Sequence, residues 1–132
     1  MKGEVDNVIN IPTSLKGKFF KYWFKFLLPF HGLTDREMDV AAAFLLKRFE
    51  LSKVISDDNL LDSVLMSEDT KRSLRDECNI KHPHFQVIMS KLRKTKVIID
   101  NRLNPRFIPN VKEENGNFKL LLLFSFTDEK SV

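Results

Sequence analysis

Cysteine, glycine and proline are all scarce in this chain of 132 residues, which holds one, four and five of them. With Cys78 alone no internal disulfide can form, so the fold needs no oxidising compartment. The four glycines, Gly3, Gly17, Gly32 and Gly116, stand too far apart for a phosphate-cradling loop, which argues against a phosphate-transfer enzyme. Long apolar runs are missing as well. Residues 19–30 are the most apolar stretch, yet Lys21 and Lys25 interrupt them and they fall short of the ~20 residues that span a bilayer. The opening MKGEVDNVINIP carries Glu4 and Asp6 where an export signal needs an apolar core, so a cytoplasmic protein without a membrane partner is expected. With 42% apolar and 30% charged residues the chain is no disordered tail, and its length suits one domain with an appended element.

What is present is unevenly placed. Residues 81–106 hold seven basic side chains (Lys81, Lys91, Arg93, Lys94, Lys96, Arg102 and Arg106) against the single acid Asp100, a local charge of +6 in a chain of +4. The rest of the chain is therefore net −2, and residues 57–69 carry Asp57, Asp58, Asp62, Glu68 and Asp69 with no cation among them. Such polarity offers one face to polyanions.

Periodicity supplies the elements. Residues 7–12 read as a short extended lead-in. Residues 14–30 place Phe19, Phe20, Tyr22, Trp23, Phe26, Leu27 and Phe30 on one side of a helix and Lys18, Lys21 and Lys25 on the other, with a stop near Pro29. That aromatic face either packs on the domain's own core or meets a partner through Phe19, Phe20, Trp23, Phe26 and Phe30. Thr34 followed by Glu37 is a capping box, which starts a helix with Met38, Ala41, Ala42, Leu45 and Phe49 inside. Residues 57–66 give a short helix with Leu60, Leu61, Val64 and Leu65 at helical spacing. The acid pairs Asp57/Asp58 and Glu113/Glu114 read as solvated loop charges.

Residues 67–100 are the most specific. Ser67 can cap a helix whose first turn holds Glu68 and Asp69, with Leu74 and Cys78 inside. Asn79 then stands where a helix ends in a left-handed residue, and His82-Pro83 starts the next helix, with His82 as its cap. On that helix, residues 83–95, Phe85, Ile88, Met89 and Leu92 face inward, opposite Gln86, Val87, Ser90, Lys91 and Lys94. Val97, Ile98 and Ile99 begin a strand. Residues 97–126 then give a long hairpin whose last strand, bearing Phe118, Leu120, Leu122, Phe124 and Phe126 on one face and Leu121 and Leu123 on the other, is covered on both sides.

This order of apolar positions, Leu74, Cys78, Ile80, Phe85, Ile88 and Leu92 followed by a β-type run, resembles the winged helix-turn-helix family of DNA-binding domains. The LNPRFIP stretch is similar to the wing of some plasmid and phage replication initiators. Arg75 stands where such families carry a small residue, and Asn79 where they carry glycine; Asn tolerates the left-handed conformation. The resemblance implies a mainly α fold with a small β-hairpin or sheet, in the α+β class. Residues 1–32 would form an N-terminal extension with the amphipathic helix, 33–126 the winged-helix domain and 127–132 a polar tail.

It also implies a transcription or replication regulator bound to double-stranded DNA. Gln86 suits an adenine edge and Val87 a thymine methyl, while Ser90, Lys91 and Lys94 suit phosphate or guanine, and Arg102 and Arg106 the minor groove or flanking phosphates. Cys78, His82 and His84 are the only candidate metal ligands, but Cys78 fills a core position, so no metal, cofactor or catalytic residue is expected and the protein is not an enzyme. The alternative is a virion assembly protein of a phage, a connector or head-to-tail ring subunit that uses a winged-helix shape for protein contacts. Twelve phenylalanines and the apolar last strand favour that reading, which makes the chain an oligomer.

Overall fold

The structure is a computed structural model that describes residues 16–114 and 117–120. Side-chain caps mark where three of its α-helices begin. Thr34 Oγ1 accepts from the Glu37 N–H at 3.3 Å and the Glu37 carboxylate accepts from the Thr34 N–H at 2.9 Å, so the capping box forms and α3 (Asp35–Ser52) starts there. The α1 (Lys16–Phe26) and α2 (Leu28–His31) helices precede it. Pro29 therefore does not stop the first helix. The break comes at Leu27, and Pro29 sits in the first turn of α2, where its missing N–H costs nothing. Asp57 caps α4 (Asp58–Leu65), so Asp57 and Asp58 open a helix instead of lying in a loop. Ser67 caps α5 (Glu68–Glu77) as its position indicated.

Two helices end in the same way. At the end of α5 the Ile80 N–H reaches the Arg75 carbonyl and the Asn79 N–H the Asp76 carbonyl, with Asn79 at φ 55°. This is a Schellman ending, and it turns the chain into α6 (His82–Lys94) within four residues. Lys81, not His82, holds the N-cap position of α6, and its side chain makes no capping bond. The α6 helix ends alike: Lys96 takes φ 65° and the Val97 N–H reaches back to Leu92, both residues fully buried.

The strands differ from the expected long hairpin. The β1 strand (Ile98–Ile99) pairs at once with β2 (Arg102–Leu103), because Asp100 and Asn101 both take positive φ, 53° and 59°, as a two-residue turn of the I′ kind requires. After a 3₁₀ turn, Pro105–Phe107, the segment read as a polar loop supplies β3 (Lys112–Glu114), antiparallel to β4 (Asn117–Lys119). The architecture is mainly helical with small antiparallel sheets, the α+β class. The lead-in at 7–12, the rest of the apolar last strand beyond residue 120 and the tail at 127–132 lie outside the described residues.

One core joins these pieces. Phe20 and Phe24 of α1, Val40, Ala41 and Phe44 of α3, Leu74 of α5, Phe85, Ile88 and Leu92 of α6, and Leu103 of β2 belong to a single buried cluster. Burying such side chains contributes about 1.5–3 kcal/mol each. The α3 helix lies in the middle, touched by α1, α4, α5 and α6, so it buries Val40 and Phe44 in addition to the expected stripe, while Phe49 is only partly covered. The α1 helix, read as an extension, packs along α3 within this same cluster. On α4 the buried pair is Leu61 and Leu65, and Leu60 is exposed.

Candidate nucleic-acid interface

The exposed side of α6 is the complement of its buried one. Phe85, Ile88, Met89 and Leu92 are taken up by the core, which leaves Gln86, Val87, Ser90 and Lys94 exposed and Lys91 half-buried on the opposite stripe. At a spacing of one, three and four residues these five side chains form one continuous row. Val87 is 64% exposed, an apolar side chain held in solvent by its position in that row. Lys91, Arg93 and Lys94 also occupy the last turn of the helix, where cations favour the negative end of its dipole.

The hairpin stands against the same helix, because the Schellman ending feeds Val97 straight into β1 and β1 packs on α6. On β2 the side chains alternate, Leu103 buried and Arg102 exposed. Asn104, nearly buried, fixes the turn after β2: its side-chain N–H₂ donates to the Lys96 carbonyl at 2.9 Å and its oxygen accepts from the Arg106 N–H at 3.1 Å. Arg106 is thereby displayed on an anchored turn. The anchor is completed by the aromatic helix, since Trp23 Nε1 donates to the Phe107 carbonyl at 2.8 Å and the Phe24 and Phe107 rings stack with centroids 6.3 Å apart.

His31 closes this aromatic cluster and is itself buried. Its Nδ1 accepts from the Leu33 N–H at 2.9 Å, so Nε2 carries the proton and donates to the Phe24 carbonyl at 2.7 Å. Both bonds are those of a neutral ring. Of the five aromatic partner candidates, then, Phe20 lies in the core, Phe19 and Trp23 pack partly against it, and Phe26 and Phe30 are exposed.

Charge pairing is unevenly distributed: among the described residues Lys18, Lys25 and Arg75 meet no carboxylate, but most cations before residue 80 do. Lys21, Arg36, Lys47, Arg48, Lys71 and Arg72 each lie within 3.9 Å of a carboxylate oxygen. Among the described residues, none of the seven cations of residues 81–106 does so. Lys81, Arg93 and Lys96 are exposed as well and extend the basic surface beyond the side chains singled out in the sequence.

Arg75, the residue that departs from the helix-turn-helix pattern, does lie across the helix pair. Its guanidinium Nη1 donates to His82 Nδ1 at 2.7 Å, and the two side chains line a cleft of about 300 Å³ between α5 and α6 together with Lys71, Arg72 and Gln86. Nothing in the sequence pattern distinguished this use of Arg75 from a misfit. Cys78 is half-buried at the C-cap of α5; burial pushes its thiol up, against the pull of Arg36, so it stays protonated. Among the described residues no group of three or more His, Cys, Asp or Glu is placed to hold a metal ion, and no helix is long and apolar enough to cross a membrane.

Compared with protein-family models, curated proteins and solved structures, the chain matches none.

Proposed function

We propose that this chain is a winged-helix DNA-binding protein, a non-enzymatic transcription or replication regulator of the cytoplasm, with α6 as its recognition helix and the β1–β2 hairpin as a short wing. The observation that carries this reading is the set of cations on α6 and the hairpin that have no carboxylate partner beside a helix face bearing Gln86, Val87 and Ser90. Cations left unpaired by their own protein keep their full charge for phosphates, and the neutral side chains between them match base edges. Gln86 would read an adenine edge, Val87 a thymine methyl, and Ser90, Lys91 and Lys94 phosphate or guanine. Arg102 and Arg106 would flank the site.

The test is fluorescence anisotropy with a random-sequence duplex across a salt series. Non-specific affinity is expected at a Kd of about 10⁻⁴–10⁻⁶ M at physiological salt. Removing two phosphate contacts in Lys91→Ala/Lys94→Ala should lower the slope of log K against log salt by about 1.8, whereas Lys21→Ala/Lys47→Ala, on the paired side, should leave it unchanged. No binding at low salt, or equal slopes for both double variants, overturns the reading.

A second reading, a phage virion assembly subunit, is favoured by one observation. Tyr22, Phe26, Leu28 and Phe30 remain 40–72% exposed on α1 and α2, more large apolar surface than so short a segment ordinarily leaves uncovered. A ring-sized particle in light scattering would support it, and a monomer or two-fold dimer would favour the regulator.

A further inference from the structure

We infer that the cleft between α5 and α6 is a phosphate-binding site in which Arg75 and Arg72 are the donors and His82 holds Arg75 in place. The inference deepens the nucleic-acid reading and rests on it only for the source of the phosphate. Arg75 is the one cation of the cleft that no carboxylate matches among the described residues. Lys71 is occupied by Glu68 at 3.7 Å, which also neutralises the only acid lining the cleft, and Arg72 has a long contact of 3.9 Å with Asp69, a carboxylate that is 96% exposed. That contact is weak enough to give way to a doubly charged group.

The geometry of the Arg75–His82 contact sets the donors. His82 Nδ1 accepts from the guanidinium, so the ring proton sits on Nε2, and both the rest of the guanidinium fork and the Nε2–H are left to donate. A planar fork held on one side is preorganised for the two oxygens of a phosphate. Gln86, on the same cleft, adds an amide donor and joins the site to the row on α6. Bound there, a backbone phosphate would lie beside the amino-terminal turn of α6 and fix the register of that helix on the duplex. The side chain that breaks the family pattern would thus serve as an anchor.

The experiment titrates the full chain with inorganic phosphate at constant ionic strength and follows the Arg75 and His82 side-chain ¹⁵N signals. Saturable shifts are expected in the native protein, with Kd raised about tenfold or more in Arg75→Gln and unchanged in Lys47→Gln. A non-saturable response, or the same curve in Arg75→Gln, overturns the site whatever the duplex does. In the anisotropy assay Arg75→Gln should lower the salt slope by about 0.9, independently of Lys91 and Lys94. If phosphate saturates but this slope does not change, the site stands and its phosphate belongs to a small molecule. If phosphate saturates and no duplex binds, the site stands and the nucleic-acid reading falls. Arg75→Lys keeps the charge but not the fork, and an intermediate Kd in that folded variant separates recognition from damage to the helix pair.

Discussion

Lysine and arginine are used differently before and after residue 80. Before it they tie the helices together: Lys21 of α1 reaches Asp35 and Asp39 of α3, Lys47 of α3 reaches Glu77 of α5, and Arg48 of α3 reaches Asp62 of α4. Arg36 of α3 donates to the Cys78 carbonyl and, at 3.2 Å, to the Asn79 carbonyl, which fastens the turn that leads into α6. Among the described residues the seven cations of residues 81–106 meet no carboxylate, and their own stretch holds only the acid Asp100. Acids interspersed among the cations thus produce a scaffold in one region, and their scarcity leaves an unmatched field in the other. Such a field destabilises the folded state slightly by self-repulsion, and the proposed polyanion would relieve it.

The contrast is meaningful only if the two regions fold as one body, and the largest predicted effect tests that. Phe24 is fully buried in α1 and stacks on Phe107, beyond the hairpin, so Phe24→Ala should cost about 3–5 kcal/mol of global stability in urea denaturation. Phe30, 72% exposed a few residues on, should change it by less than about 0.5 kcal/mol. A Phe24→Ala cost below about 1 kcal/mol would mean that α1 is an appendage.

Much of this was legible in the sequence where one local rule decides the outcome. Thr34 and Glu37 are both halves of a capping box, Ser67 is a cap followed by two acids, and Phe85, Ile88, Met89 and Leu92 keep a strict helical spacing. The misreadings come where tertiary packing decides. Phe24 sits one step off the aromatic stripe and becomes core where α1 packs on α3 and Phe107 stacks on its ring. Val40 and Phe44 look like the wrong face of α3 until four helices surround it. Asp100-Asn101 lacks the usual glycine of a two-residue hairpin, so the turn between β1 and β2 was hidden inside an imagined longer wing. The row on α6 was readable because a single amphipathic helix fixes it. The cleft was not, because Arg75 and His82 meet only through the turn between their helices.

The second prediction sharpens the contrast in charge. Burial disfavours the Lys21 ammonium, but the hydrogen bonds and charges of Asp39 and Asp35 outweigh it and hold its pKa above the ordinary 10.5. A raised pKa in the folded state stabilises below 10.5, and that contribution is lost as pH climbs through the raised value. Lys21→Met should therefore cost about 1 kcal/mol near neutral pH, and the gap from the native protein should close in alkali. Lys94→Met should leave stability within about 0.5 kcal/mol of the native value throughout. Equal costs at the two positions would break the distinction between paired and unpaired regions.

The smallest effect is expected at the joint between them. Asn79 at φ 55° occupies a position that the helix-turn-helix pattern gives to glycine, and two backbone bonds of the Schellman ending together with Arg36 already define that turn. Asn79→Gly would relieve the cost of a left-handed side-chain residue while loosening the unfolded chain, and the two terms oppose each other. The net change in stability should stay within about 0.5 kcal/mol, with the duplex salt slope unaltered, because no contact that orients α6 passes through the Asn79 side chain in the observed hydrogen bonds. A loss above about 1 kcal/mol would show that this side chain, and not the backbone geometry it permits, couples the scaffold to the basic face.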